Sequence, residues 1–325
     1  MLLEIHHDLA FTYDSWIHES RMELRIQPRT DTRQVLQEFH LLLGPRTTPA
    51  RGWEDWLGNI VHWFGIAAWH ERIEVQARSI VDTSPAAVSS KQATDPIPEG
   101  PADIARDDFT MFGGPVVHST LLEEKSRAFG LETASTLGEW VGLLEEGLAR
   151  EFEYQPQVTT WESNTDDVLN THAGVCQDFA HITIALARLR GIPTRYVNGY
   201  LHVPARETTA ESHAWVEFWS PTMGWIPYDP THREDPGERH VVVAYGRNYD
   251  DCPPNRGLYA GRAQESLEAI VRTNELPEDA RQRRRHLEPL PEIPTYSANP
   301  LPSAASNARF PSGGPPNAES QQQQQ

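Results

Sequence analysis

The stretch AGVCQDFAHITIALARLRG, residues 173–191, decides the reading of this chain. Phe179, Ile182, Ala185, Leu186 and Leu189 recur at three- and four-residue spacing, so the segment is an amphipathic helix, stopped by Gly191-Ile192-Pro193. Gly174 lets the backbone turn into that helix, which places Cys176 in or just before its first turn. Unpaired N–H groups and the helix dipole favour a thiolate there over a thiol. Asp178 suits the same helix end, either as a cap or as support for a site at Cys176. A small buried cysteine is the competing reading, so the rest of the chain has to decide.

Working outward, the elements on the C-terminal side are short β-type runs: TRYVNGYLHV (194–203), SHAWVEFWS (212–220), GWIPYDP (224–230), HVVVAYG (240–246) and ESLEAIVRT (265–273). On the N-terminal side STLLEEKSRAFG, STLGEWVGLLEEGLAREFEY and SNTDDVLNTHAG have helical periodicity, each with a capping residue at its start. Helices followed by antiparallel strands make an α+β layer. Residues 1–83 alternate in several short runs, including LEIHHDLAFTYD, RMELRIQP and RIEVQARSIVD, and read as a β-sandwich-like domain. The sequence therefore divides into a β-rich domain at 1–83, a Pro- and Ser-rich linker at 84–106, a core at 107–275 and a largely disordered tail at 276–325. The tail carries RQRRRH, read as a solvated helix end, then Pro-rich and Gln-rich runs.

With 28 basic and 46 acidic residues the net charge is −18, which argues against nucleic acid or anionic lipid as partner. No apolar run approaches the roughly 18 residues of a membrane span, and no signal-peptide pattern opens the chain. Two cysteines do not make a disulfide framework. A cytoplasmic protein is the expectation.

Two further residues have chemistry to match the cysteine. His213 begins a strand on which Trp215, Glu217 and Trp219 share its face, and Asp229 ends the next strand, directly before Pro230. The tight connection SPTMG makes these strands a hairpin, which brings the imidazole and the carboxylate within hydrogen-bonding reach. A thiol nucleophile needs a base, and the base needs an orienting acceptor. Cys176, His213 and Asp229 fill these roles as a catalytic set. The remaining histidines are scattered, and His172, Cys176 and His181 match no ordinary zinc spacing, so neither metal nor cofactor is expected. Trp161, Tyr200 and Trp215 are candidates to wall an acyl pocket, with aromatic core packing the equal alternative, and Asn248 is a candidate substrate contact. The Cys176 backbone N–H is the natural first oxyanion donor.

GVCQDFAH, SHAWVEFW and GWIPYDPTH together resemble the core of the transglutaminase-like, papain-like thiol superfamily. RGIPTRYVNGYL, YGRNYDDCPPNRG, MELRIQP and GNIVHWFGI extend the likeness to bacterial members that place a β-rich region before that core. The resemblance spans about residues 1–275 and makes Cys176 the nucleophile, His213 the base and Asp229 the orienter. Cys252 departs from it, standing where an aliphatic residue is expected. It implies acyl transfer on peptide or carboxamide bonds through a thioester, by a protease or amidase if water resolves it and by a transglutaminase if an amine does. Hydrolysis is favoured, since nothing in the sequence guarantees exclusion of water. A non-catalytic module that binds peptides or proteins on the same fold is the alternative.

Overall fold

The structure, a computed structural model, describes residues 1–84, 89–98, 106–160, 162–204 and 212–277. Trp161 and the tail beyond 277, with its RQRRRH run, lie outside the described residues.

The chain opens with β1 (Leu2–Leu24), β2 (Gln34–Gly44), β3 (Arg51–Glu54), β4 (Ile60–Ile66) and β5 (His70–Thr83). LEIHHDLAFTYD and RMELRIQP, expected as separate strands, belong largely to the single 23-residue β1. Between them lies no Gly or Pro to turn the chain, so the strand continues through irregularities between Thr12 and Ile17 and between His18 and Arg21. The first half of β1 pairs with β5, and the second half with β4. Leu9, Phe11 and Val75 from one half share a core with Met22, Leu24 and Phe64 from the other, so the two halves fold over one another as a sandwich.

The middle of the chain supplies α1 (Thr120–Phe129), α2 (Leu137–Glu151), β6 (Glu153–Tyr154), α3 (Thr165–Thr171), β7 (Ala173–Gly174) and α4 (Cys176–Leu189). Ser119, Thr136 and Asn164 cap α1, α2 and α3 through their side chains, as their sequence suggests. Then follow β8 (Thr194–Leu201), β9 (Ser212–Ser220), β10 (Gly224–Tyr228) and β11 (His240–Gly246), in the antiparallel order β10-β9-β8-β11. α4 is buried along almost its whole length, packing on β8 and β9. It and the sheet share one core in which Ile182, Ala185 and Leu186 join Tyr196, Val216 and Phe218.

The last two strands correct the sequence division. β12 (Asn255–Ala260) and β13 (Glu265–Glu275), assigned above to the core, pair with β1 instead. β1 has hydrogen-bonding edges on both sides to satisfy, and the chain supplies the second neighbour from its far end. The described part of the expected linker is also built in. Ser90 binds the Asp235 carboxylate, and the Asp95 and Ala93 carbonyls accept from Leu137 and Gly138 at the start of α2. Those contacts use backbone atoms, which leave no periodic trace in sequence.

The sandwich and the core are joined along the edge of β11. The Gln34 amide accepts from Val242 N–H at 2.7 Å and donates to Val242 C=O at 2.8 Å. Asn59 does the same at Tyr245, with both contacts at 2.7 Å. Each amide thus satisfies the edge strand as a neighbouring strand would. Beside them the fully buried Glu217 carboxylate meets Arg195 at 2.8 Å and also Arg33.

Candidate active site

Cys176 is the first residue of α4 and is half-buried. The helix start is fixed by Asp178, whose Oδ2 accepts from Val175 N–H at 2.8 Å and from Thr159 Oγ1 at 2.7 Å. A Cβ on Gly174 would stand 2.5 Å from that oxygen, so only glycine fits there. Asp178 is therefore the helix cap and the latch for the 155–160 segment. Burial pushes its carboxyl up, and the Thr159 and Val175 bonds oppose the push. As the first helical residue, Cys176 has an N–H with no intrahelical acceptor.

His213 lies opposite Gly199 at the start of β9. Tyr228 of β10 pairs with Val216, and continuing that register would set Asp229 opposite Trp215, diagonal to His213 rather than directly across. His213 Nε2 donates to Asp229 Oδ2 at 2.7 Å, and Cys176 is near enough to add to the electrostatic pull on the imidazole. With Nε2 committed to the carboxylate, Nδ1 is the nitrogen left for sulfur. Burial alone would lower the imidazole. The Asp229 charge and hydrogen bond, with Cys176 adding to them, outweigh it and push His213 up to about 10. Burial would likewise raise Asp229, yet His213, His232 and His240 hold its carboxyl well below the usual range. At neutral pH the site therefore holds an imidazolium on an ionised, fully buried carboxylate.

Two of those residues were not singled out from the sequence. His232 Nδ1 donates to Asp229 Oδ2 at 2.9 Å, and His240 Nε2 does so at 3.2 Å. The other oxygen, Oδ1, accepts from the backbone N–H groups of Thr231 and His232. His232 stood three residues after Asp229 in the quoted motif. His240 opens β11, and only the sheet order brings it near. His213, Asp229 and His240 have ligand atoms within 4.8 Å of one another, close enough to share a cation. Each nitrogen already gives its proton to Oδ2, so hydrogen bonds account for the cluster.

The two described wall candidates and Asn248 are all packed into the fold. Trp215 is fully buried, its ring tilted against His213 at 5.9 Å and edge-on to His240 at 5.2 Å. It is a floor under the histidines. Tyr200 is buried as well, its hydroxyl donating to Ile26 C=O at 3.2 Å and meeting His7 Nδ1 at 2.8 Å in the contact with the sandwich. Asn248 caps the turn Tyr249–Asp251 by accepting from Asp250 N–H, and donates to Gly113 C=O at 3.0 Å. All three are thus held by the fold. His181 is a core histidine that accepts from Tyr249 N–H, pushed down to about 3 by burial. Cys252 is fully buried, which pushes its thiol well up.

Comparison with known proteins agrees with this architecture. Residues 125–230 match the model of the transglutaminase-like superfamily, and residues 3–82 that of the bacterial transglutaminase-like N-terminal region. The uncharacterized protein ML0607 of Mycobacterium leprae is 31% identical over 281 residues, covering 84% of this chain and 99% of that protein. The chain belongs to the transglutaminase-like superfamily. A solved structure described as a candidate cysteine protease from Cytophaga hutchinsonii superposes with a TM-score of 0.70 over 85% of this chain and 92% of its own. At 21% identity that likeness speaks for the fold. A protein-glutamine gamma-glutamyltransferase of Pseudomonas aeruginosa is 32% identical over 92 residues, covering 26% of this chain and 14% of its own length. No helix among the described residues is long and apolar enough to cross a membrane.

Proposed function

We propose that the protein catalyses cysteine-dependent acyl transfer on peptide or carboxamide bonds. One observation carries the reading: an imidazole hydrogen-bonded to a buried carboxylate, with the thiol at a helix N-terminus near enough to act on the same ring. The Cys176 sulfur attacks the carbonyl carbon as a thiolate, and the Cys176 N–H stabilises the oxyanion. His213 Nδ1 gives its proton to the departing nitrogen as the C–N bond breaks, which leaves a thioester and a free amine. His213 then takes a proton from water, or from a second amine, as that nucleophile attacks the thioester and the thiol is restored. Hydrolysis of peptide-like amides is the preferred outcome, with transamidation as the variant reaction of the same intermediate. A peptide or protein substrate met in the cytoplasm fits this reading.

The test is alkylation of the full chain with iodoacetamide at pH 6, read by peptide mapping. Cys176 should react at least about a hundredfold faster than the buried, strongly raised thiol of Cys252. Equal rates would sink the proposal. Mass spectrometry of the protein offered Gln-containing peptides, with and without an added amine, then separates hydrolysis from transamidation.

A further inference from the structure

Behind the catalytic cluster, where the sandwich meets the core, lies a cavity of about 20 Å³. Arg33, Gln34 and Ser84 line it from the N-terminal side, and Trp215, His240 and Val242 from the sheet. Two of its lining residues carry polar atoms with no hydrogen-bond partner: Trp215 Nε1 and His240 Nδ1, on side chains 0% and 3% exposed. A buried polar atom without a partner forfeits the hydrogen bond it had in water, so two such atoms on residues lining one cavity call for an occupant. The space is just above the roughly 10–15 Å³ that one water needs.

The protonation of His240 fixes what that occupant must do. Its Nε2 faces the ionised Asp229 Oδ2 at 3.2 Å and so carries a proton. Burial pushes the ring down and, with the lesser His213 charge, outweighs the opposing pull of Asp229, so the ring is neutral and its Nδ1 is a bare lone pair. Trp215 offers a donor, His240 an acceptor.

We propose that this cavity binds one water, which accepts from Trp215 Nε1–H and donates to His240 Nδ1, and that His240 so held is a positioning residue for Asp229. Its role in catalysis rests on the acyl-transfer reading. The charged and titratable groups around Asp229 and His240 are His213 from β9, His232 and Glu234 from the turn after β10, and Arg33 across the cavity. Among them His240 is the buried neutral donor. It keeps one more hydrogen bond on the charged form of Asp229 without adding a positive charge to compete with His213.

Nuclear magnetic resonance of the full chain, with ¹⁵N in histidine and tryptophan, tests both halves without recourse to activity. Wild-type protein at pH 7 should show His240 as the Nε2–H tautomer, and a cross-peak from the Trp215 indole N–H to a long-lived water. A proton on Nδ1, or an indole N–H with no water contact, overturns the proposal. On acidification, the downfield His213 Nε2–H signal should vanish about one pH unit higher in His240→Phe than in wild type. The missing donor lets Asp229 protonate sooner. His240→Gln, whose amide N–H can replace the donor, should return the loss to within a few tenths of a unit. A purely structural His240 would lower the melting temperature and leave this pH unmoved, which also overturns the proposal. Failure of acyl transfer itself would appear separately, as a wild-type Cys176 that forms no thioester while these signals remain.

Discussion

His213 and His232 donate to the same oxygen of Asp229, at 2.7 and 2.9 Å, one from within the sheet and one from a half-exposed turn. Their rings meet edge to face with centroids 5.1 Å apart. A carboxylate is an acceptor only, so both imidazoles must present N–H to it. That fixes which His213 nitrogen meets the carboxylate and leaves Nδ1 for the thiol.

Replacing Asp229 with Asn tests the dependence directly. An amide group would set N–H against up to three imidazole donors or force their tautomers to change. Turnover should fall by about a hundredfold or more. The melting temperature should fall by several degrees, at roughly 2–4 °C per kcal/mol for a domain of 150–250 residues. A folded Asp229→Asn with wild-type turnover would remove Asp229 from the mechanism.

Stability should depend on pH through His213. Its folded value is raised from 6.5 to about 10, so its contribution is complete below 6.5 and is lost as pH rises through about 10. The clean window is pH 6.5 to about 8, below the point where Arg188, pushed down to about 9 by burial, begins to lose its proton. Wild-type urea midpoints should decline across that window, and those of His213→Gln should decline less. Parallel slopes would show that the imidazole is not held as an imidazolium.

Arg188 joins four parts of the core from the end of α4 remote from the cysteine. It donates to the carbonyls of Phe109, Met111, Thr194 and Arg247, the longest at 3.2 Å. Arg188→Met keeps much of the stem and strands these acceptors. The loss should be about 3 kcal/mol or more, or a melting temperature lower by roughly 10 °C in scanning calorimetry. A drop of only a degree or two would mean that water replaces the guanidinium.

Two truncations test where the sandwich ends. Stopping after Pro277 removes only residues outside the described fold and should leave the melt unchanged. Stopping after Ala263 removes β13 and uncovers Leu3 to Tyr13 along one side of β1, so cooperative melting should be lost. If the shorter chain melts as well as the longer one, β13 is dispensable to the sheet.

The His213–Asp229 pair, and Cys176 at a helix start, were legible because their signals are local. A cysteine at a helix start, a histidine opening an alternating strand and an aspartate closing the next can all be read from short windows. His240 was not legible, since Asp229 meets it only through the placing of β11 beside β8. Trp215 and Tyr200 are aromatic residues whose type fits a pocket wall and a packed core equally, and type alone does not say which face of a sheet turns inward under a second domain. The pairing of β12 and β13 with β1 escaped for a similar reason: alternation shows that a strand has a buried face and does not say which sheet buries it.

The long first strand has a consequence for how the protein is made. β1 leaves the ribosome well before its partner β13, which ends 251 residues later, from Leu24 to Glu275. At about 5–20 residues per second, that strand waits roughly 12 to 50 s for its second neighbour. Through that interval Leu9, Phe11 and Ile17 have only β4 and β5 to cover them, while Glu4, His6 and Asp8 on the alternate face keep the open edge hydrophilic. The helical core with Cys176 is synthesised inside that delay, so α4 and its sheet are complete before the sandwich can close.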